Sequence, residues 1–194
     1  MKKIYILHEN PIWMIPLREA LEEQGLPYQE WLLDEGTVPF HETPPEGVFY
    51  NRMSASSHSR GHRFAPELTL TTLHWLERHG RRVLNDHRAL HLEVSKFTQY
   101  RALETAGLRT PHTIASVGQK SLQQAAKSLG RTPFILKPNR GGKGLGVQLF
   151  NTIPAMLDFV KQLPLEEQPI DGTWIVQEFV QPRDPFITRC EFIG

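Results

Sequence analysis

Phe134-Ile-Leu-Lys-Pro-Asn-Arg-Gly-Gly-Lys-Gly-Leu-Gly-Val147 is the stretch on which the reading of this chain turns. It opens as an apolar strand, Phe134 to Leu136, and leaves as a second strand, Val147 to Phe150, with glycines at 141, 142, 144 and 146 between them. Glycine reaches positive φ and lets backbone N–H groups approach a ligand with no Cβ in the way. Lys137 and Lys143 bracket the loop with positive charge. The pattern predicts a β-hairpin whose tip covers phosphates, although an ordinary glycine-rich hairpin would carry the same glycines. Spacing excludes two better-known phosphate loops. A Walker A loop needs Gly-Lys followed by Ser or Thr at a helix start, but Val147 and Gln148 follow Gly146. The dinucleotide fingerprint opens a helix, whereas here a strand follows, and Gly142-Lys-Gly-Leu-Gly146 misses its spacing by one residue.

The totals set the bounds. At 194 residues the chain has room for one large domain or two small ones. Its 39% hydrophobic and 22% charged residues are ordinary for a soluble protein. A formal charge of +1, from 22 basic and 21 acidic side chains, argues against a dedicated nucleic-acid or membrane-surface protein. The lone Cys190 rules out an internal disulfide, fits a reducing compartment and reads as structural. No apolar run approaches a membrane span, and the short apolar part of Met1-Lys-Lys-Ile-Tyr-Ile-Leu7 reads as a first strand rather than a signal peptide. The expectation is a soluble, cytoplasmic protein.

The first third alternates strand and helix. Strands are expected at residues 4–7, 28–33, 48–50 and 83–85. Helices are expected from about Ile15 to Gly25-Leu-Pro27 and from Pro66 to His79, with Gly80 as its cap. That alternation predicts a small parallel α/β domain. Directly after the third strand, where such sheets bind ligands, comes Asn51-Arg-Met-Ser-Ala-Ser-Ser-His-Ser-Arg-Gly-His-Arg63, with three arginines, two histidines and four serines. A mobile polar loop is one reading. In the other, Arg52 and Arg60 grip a carboxylate or phosphate in bidentate fashion. His58 and His62 have the spacing of a helical metal pair but no evident third ligand.

Between Ser95 and Gly107, the residues Phe97, Tyr100, Leu103 and Ala106 recur every third position and predict a helix with one apolar stripe. Ser95 serves as N-cap and Gly107 follows the C-terminus. Lys96 then falls in the first turn, where a cation opposes the helix dipole at a cost of about 0.3–1 kcal/mol. A surface residue tolerates that cost; a phosphate held by Lys96 and neighbouring N–H groups would explain it. Ser121 to Leu129 reads as a further helix closed by Gly130, and residues 151–163 as another. Gly172-Thr-Trp-Ile-Val-Gln-Glu-Phe-Val180 reads as a strand.

The order of these marks resembles the ATP-grasp superfamily, and within it the RimK-type amino-acid ligases. The features in common are a lysine opening a helix (Lys96), the turn Gly107-Leu-Arg-Thr-Pro111, the strand end Ile135-Leu136-Lys137-Pro138, the glycine loop, and Gln177-Glu178-Phe179-Val180. The resemblance implies an α/β chain with an α+β lid. Residues 1–92 would be a parallel pre-ATP-grasp domain and 93–194 an ATP-grasp domain, its lid at about 113–180. It implies ATP held through Lys96 and Lys137 at the phosphates, covered by Gly141, Gly142, Lys143, Gly144 and Gly146. The ATP-binding strand end Gln177-Glu178-Phe179-Val180 would lie at the adenine, which Glu178 with Val180 would read. Asp184 is the nearest acid for the ribose, because Ile187 stands where the family often carries one. Arg52, Arg60 and Arg189 are candidate substrate-binding residues; no catalytic side chain is singled out.

By the same resemblance the reaction is ATP-dependent ligation of a carboxylate to an amine through an acyl-phosphate, of the α-L-glutamate type. The substrates would be a small carboxylate or amino acid, with a peptide or protein among the acceptors, and no nucleic acid or membrane is implied as partner. A homo-oligomer is compatible with the sequence. Mg2+ is the expected second cofactor, its ligands falling past Gly194, so that the chain reads as C-terminally truncated and inactive alone. The alternatives are a non-catalytic nucleotide-binding module and an ATP-grasp enzyme with another acceptor.

Overall fold

The apolar run that opens the sequence lies at the centre of a parallel sheet. The structure, a computed structural model, describes residues 2–142, 144–184, 186, 188 and 190. Strand β1 (Ile4–His8) is flanked by β2 (Tyr28–Leu32) and β3 (Val48–Asn51), and β4 (Arg82–Leu84) pairs with β3, giving the order β2-β1-β3-β4 with every pairing parallel. Alternation along β1 divides its side chains between two cores. Ile6 packs with Met14 and Leu21 of helix α1 (Ile15–Glu23) on one face. Tyr5 and Leu7, with Phe49, pack against Leu73, Trp75 and Leu76 of helix α2 (Ala65–Arg78) on the other. Burial on both faces is why this strand reads as a continuous apolar run.

Two helices lead out of this sheet. Helix α3 (His87–Val94) was not anticipated from the sequence; its N-cap Asp86 accepts from the N–H groups of Arg88 and Ala89, and Leu90 is its single buried residue. Helix α4 (Lys96–Thr105) follows with Ser95 as N-cap, its side chain accepting from Thr98 N. Gly107, at φ 77°, lies just past the C-terminal end of α4, as expected. The apolar stripe expected on α4 does not enter a core: none of its residues is buried, and Phe97 and Leu103 are 46% and 40% exposed. Caps at both ends, rather than a buried face, define this helix.

The second sheet is antiparallel, with order β5-β8-β6-β7, formed by β5 (Thr113–Ser116), β6 (Phe134–Pro138), β7 (Gln148–Phe150) and β8 (Trp174–Glu178). Phe134, Leu136, Trp174 and Val176 form one core with Leu122, Ala126 and Leu129 of helix α5 (Gln119–Leu129) and Met156 and Val160 of helix α6 (Ile153–Gln162). Each large apolar side chain so buried contributes about 1.5–3 kcal/mol. The register pairs Ile135 with Gln177 and Lys137 with Ile175, so these four lie on the face turned away from that core. No helix among the described residues is long and apolar enough to cross a membrane.

Candidate functional site

The face carrying Lys137 and Gln177 meets the start of α4, and a single side chain ties the two together. Asn139, 8% exposed, follows β6 and precedes the glycine loop. Its Oδ1 accepts from Phe97 N at 3.0 Å and Ser95 Oγ at 3.2 Å, and its Nδ2 donates to Asp171 Oδ2 at 2.7 Å. Its carbonyl accepts from both the backbone N–H and the ammonium of Lys96. The first-turn N–H groups of residues 96, 97 and 98 are therefore satisfied within the protein. A phosphate here would meet the Lys96 ammonium rather than the helix amides, which corrects the sequence expectation.

Two ammonium groups converge at the root of the glycine loop. Lys96 Nζ donates to the carbonyls of Asn139 at 3.1 Å and Gly141 at 2.9 Å. Lys137 Nζ donates to Tyr100 Oη at 2.7 Å and Gln177 Oε1 at 2.8 Å. Gln177, buried in β8, is oriented by donating to Thr113 Oγ1 at 2.8 Å. Among the described residues neither ammonium forms an ion pair, although the guanidinium groups of Arg18, Arg60, Arg81, Arg88, Arg131 and Arg140 all do. Burial pushes the Lys96 pKa below the ordinary lysine value, and the positive charge of Lys137 pushes it the same way. Asp171 and Glu93 oppose the shift without reversing it. Two half-buried cations with neutral acceptors make a site whose electrostatic need is an anion.

The glycine loop rests against the segment 51–63. A Cβ on Gly141 would come within 3.9 Å of His58 Cε1, and one on Gly142 within 3.9 Å of Ser56 Cβ. Gly146, at φ 72°, leaves no such room: a Cβ there would stand 3.0 Å from Pro138 Cδ. Gly144 has similar φ but open space around it. Lys143 lies outside the described residues. Beside Tyr100 and Thr113 a cleft of about 340 Å³ opens between α4 and β5, lined also by Phe97, Arg101, Pro111 and His112.

The other sequence-derived candidates fall elsewhere. Glu178 pairs in register with Phe134 and so lies, by strand alternation, on the face opposite Lys137. Its carboxylate accepts from His112 N at 2.9 Å and from Arg131 Nη1 at 2.8 Å. Phe179 is half-buried, while Val180, Asp184 and Cys190 are exposed. Arg189 is outside the described residues. Arg60 is not free to hold a substrate anion, because it pairs with the buried carboxylate of Glu9 and stacks over Trp13. Arg52 does line an open cavity of about 410 Å³ at the carboxyl ends of the parallel strands, with Asn51, Asn85 and Glu93. His58 and His62 do not share a helical face, because their turn is a short 3-10 segment closed by Gly61 at φ 87°. His58 instead bonds the carbonyl of Ala55 through Nδ1 at 3.2 Å.

No protein-family profile and no curated protein matches the chain. Solved structures do. A RimK domain ATP-grasp protein from Sphaerobacter thermophilus superposes with a TM-score of 0.61 at 17% identity, over 93% of this chain and 65% of that one. D-alanyl-alanine synthetase A from Vibrio cholerae gives 0.59 at 12% identity, over 93% and 60%. A carboxyaminoimidazole ribonucleotide synthase from Aspergillus clavatus, complexed with ATP, gives 0.61 at 15% identity, over 92% and 47%. This chain has the ATP-grasp fold. It spans 65% or less of the length of each of these three proteins.

Asn139 was legible only as part of the glycine loop, because its bonds to Phe97 N and Ser95 Oγ reach 42 and 44 residues back along the chain. Tyr100 was legible only as part of an apolar stripe, and its hydroxyl on Lys137 depends on a contact 37 residues away in sequence. Thr113, His112, Arg131 and Asp171 likewise act through contacts that no local pattern announces.

Proposed function

We propose that the chain binds ATP across the sheet face carrying Lys137 and Gln177, and that the protein to which it belongs is an ATP-dependent carboxylate–amine ligase. The observation that carries this reading is the pair of un-ion-paired ammonium groups, Lys96 and Lys137, at the root of the glycine loop. A polyphosphate between them would satisfy both charges and relieve their mutual repulsion, each charge-assisted contact contributing about 1.5–3 kcal/mol. The loop of Gly141, Gly142, Lys143, Gly144 and Gly146 closes over that polyphosphate with its N–H groups. The base lies toward Gln177 to Val180, and Asp184 is the candidate for the ribose. Glu178 lies on the opposite face, so its carboxylate reads the adenine amino group only after leaving Arg131 and turning round the strand end.

In the proposed reaction a carboxylate oxygen attacks the γ-phosphorus and ADP leaves with the bridging oxygen. An amine nitrogen then attacks the acyl carbon, phosphate leaves, the nitrogen loses a proton and an amide remains. Lys96 and Lys137 contribute by positioning and by neutralising charge that develops on the phosphates, so no side-chain nucleophile is required. The cavity at Arg52 is where an acidic substrate group would dock, and Arg189 remains a substrate-binding candidate. Mg2+ is the ion this chemistry calls for, but the described residues around the two lysines do not fit it. The nearby carboxylate of Asp171 is already bonded to Asn139 Nδ2 and Thr173 N, and the neutral oxygens of Asn139, Gly141, Tyr100 and Gln177 already accept from the two ammonium groups.

Calorimetric titration with ATP, ADP, AMP and adenosine tests the nucleotide part. Affinity should fall in that order as phosphates are removed; equal affinity for ATP and adenosine would defeat the assignment of the lysines. Hydroxylamine trapping tests the reaction, since an acyl-phosphate yields a hydroxamate only when ATP and the correct carboxylate are both present.

A further inference from the structure

Outside the lysine site, three potential metal-ligating side chains meet at the corner between α2 and α3. His74 and Glu77 stand at i and i+3 on α2, one face of the helix, and His87 opens α3. One ligand atom from each of the three lies within 4.8 Å of the others. Glu77 Oε2 is 2.7 Å from His87 Nδ1 and 3.9 Å from His74 Nδ1, and the two imidazole rings are 5.0 Å apart. His91, one turn further along α3, brings a third ring within 6.4 Å of His87. The corner is reachable from solvent: the His74 side chain is 55% exposed, and those of Glu77 and His87 are 25% and 33% exposed.

We propose that His74, Glu77 and His87 form a site for a divalent transition-metal ion, of which Zn2+ is the representative. Two imidazoles and a carboxylate are a donor set that zinc accepts and that Mg2+ and Ca2+, which want oxygen, do not favour. Bonds of about 2.0–2.1 Å from zinc to nitrogen require the ligand atoms to stand about 3.3 Å apart. The Glu77–His87 pair opens slightly to reach that spacing, and the exposed His74 closes on them by a rotamer change. The ion would join the end of α2 to the start of α3, the helix that runs directly into Ser95 and Lys96, and so act as a staple at the base of the connection between the two sheets.

The test uses the tag-free chain without nucleotide. Zn2+ titrated by calorimetry should bind once per chain and raise the melting midpoint, and excess Mg2+ should not compete. His74→Ala and His87→Ala should each weaken binding by at least about tenfold, whereas His41→Ala, at an exposed histidine elsewhere, should leave it unchanged. Because His74 is exposed, its removal leaves the fold intact and keeps the test decisive even if His87→Ala is unstable. Absence of saturable Zn2+ binding, or binding of undiminished affinity in His74→Ala, would overturn the proposal.

Discussion

Replacing Asn139 by alanine should destabilise the chain more than removing the sequence-evident cap at Ser95. Three side-chain hydrogen bonds disappear in Asn139→Ala: from Phe97 N, from Ser95 Oγ, and to Asp171. The loss of a helix-capping acceptor costs about 1 kcal/mol. The bond to the Asp171 carboxylate is charge-assisted, a class contributing about 1.5–3 kcal/mol, and falls at the low end because the exposed aspartate regains water. The sum is about 2–3 kcal/mol, which for a chain of this size lowers the melting midpoint by about 4–12 °C. Ser95→Ala removes its bond to Thr98 N and one partner of Asn139, a loss of about 1 kcal/mol. Thermal unfolding followed by circular dichroism gives the ranking, and hydrogen exchange at Phe97 and Thr98 shows whether α4 frays at its start. A smaller midpoint shift in Asn139→Ala than in Ser95→Ala would refute the account of Asn139 as the tie between the second sheet and α4.

Further outcomes follow from the same geometry. Gly47→Ala should be severely destabilising, because its Cβ would stand 2.5 Å from the carbonyl of Lys3 and 2.7 Å from the Tyr5 ring; soluble expression and urea midpoint report it. Gly146→Ala should weaken ATP binding more than Gly144→Ala: both carry positive φ, but only Gly146 also meets Pro138. Stability should fall on mild acidification. Burial holds the pKa of His8 below the ordinary histidine value despite Glu30, and burial with the charges of Arg140, Arg60 and Arg63 does the same for His58. The unfolded chain then binds more protons below about pH 6.5, so the stability present above that pH is lost as pH falls toward the lower folded-state values. A urea midpoint that rises on going from neutral to mildly acidic buffer would contradict that sign.

Much of the fold is local enough to be read from residues alone. The run Ile4–Leu7 announces a strand buried on both faces, Ser95 and Gly107 bracket α4, and Lys137-Pro138 followed by four glycines marks the hairpin. Helix α3 escaped because it is short, buries only Leu90, and starts from an Asp86 cap that also suits a turn. The site was legible as a set of residue types but not as an arrangement. Arg60 looked available until Glu9, 51 positions earlier, was found beside it. Glu178 and Lys137 could be placed on one sheet from their patterns, but their faces depend on register, and a one-residue shift exchanges them. The stripe on α4 shows the converse limit, since periodicity reports a common face without saying what that face meets.

The most direct test of the central claim is the ATP affinity of lysine variants whose folding is unchanged. ATP is titrated calorimetrically into the chain, into Lys96→Ala, Lys137→Ala and the double variant, and into Lys161→Ala as an exposed control on α6. Loss of one charge-assisted phosphate contact should cost about 1.5–3 kcal/mol, or about 10- to 150-fold in affinity, for each site lysine. The double variant should bind more weakly than either single variant, and Lys161→Ala should match the unaltered chain. ATP affinity preserved in the Lys96→Ala, Lys137→Ala double variant would contradict the account.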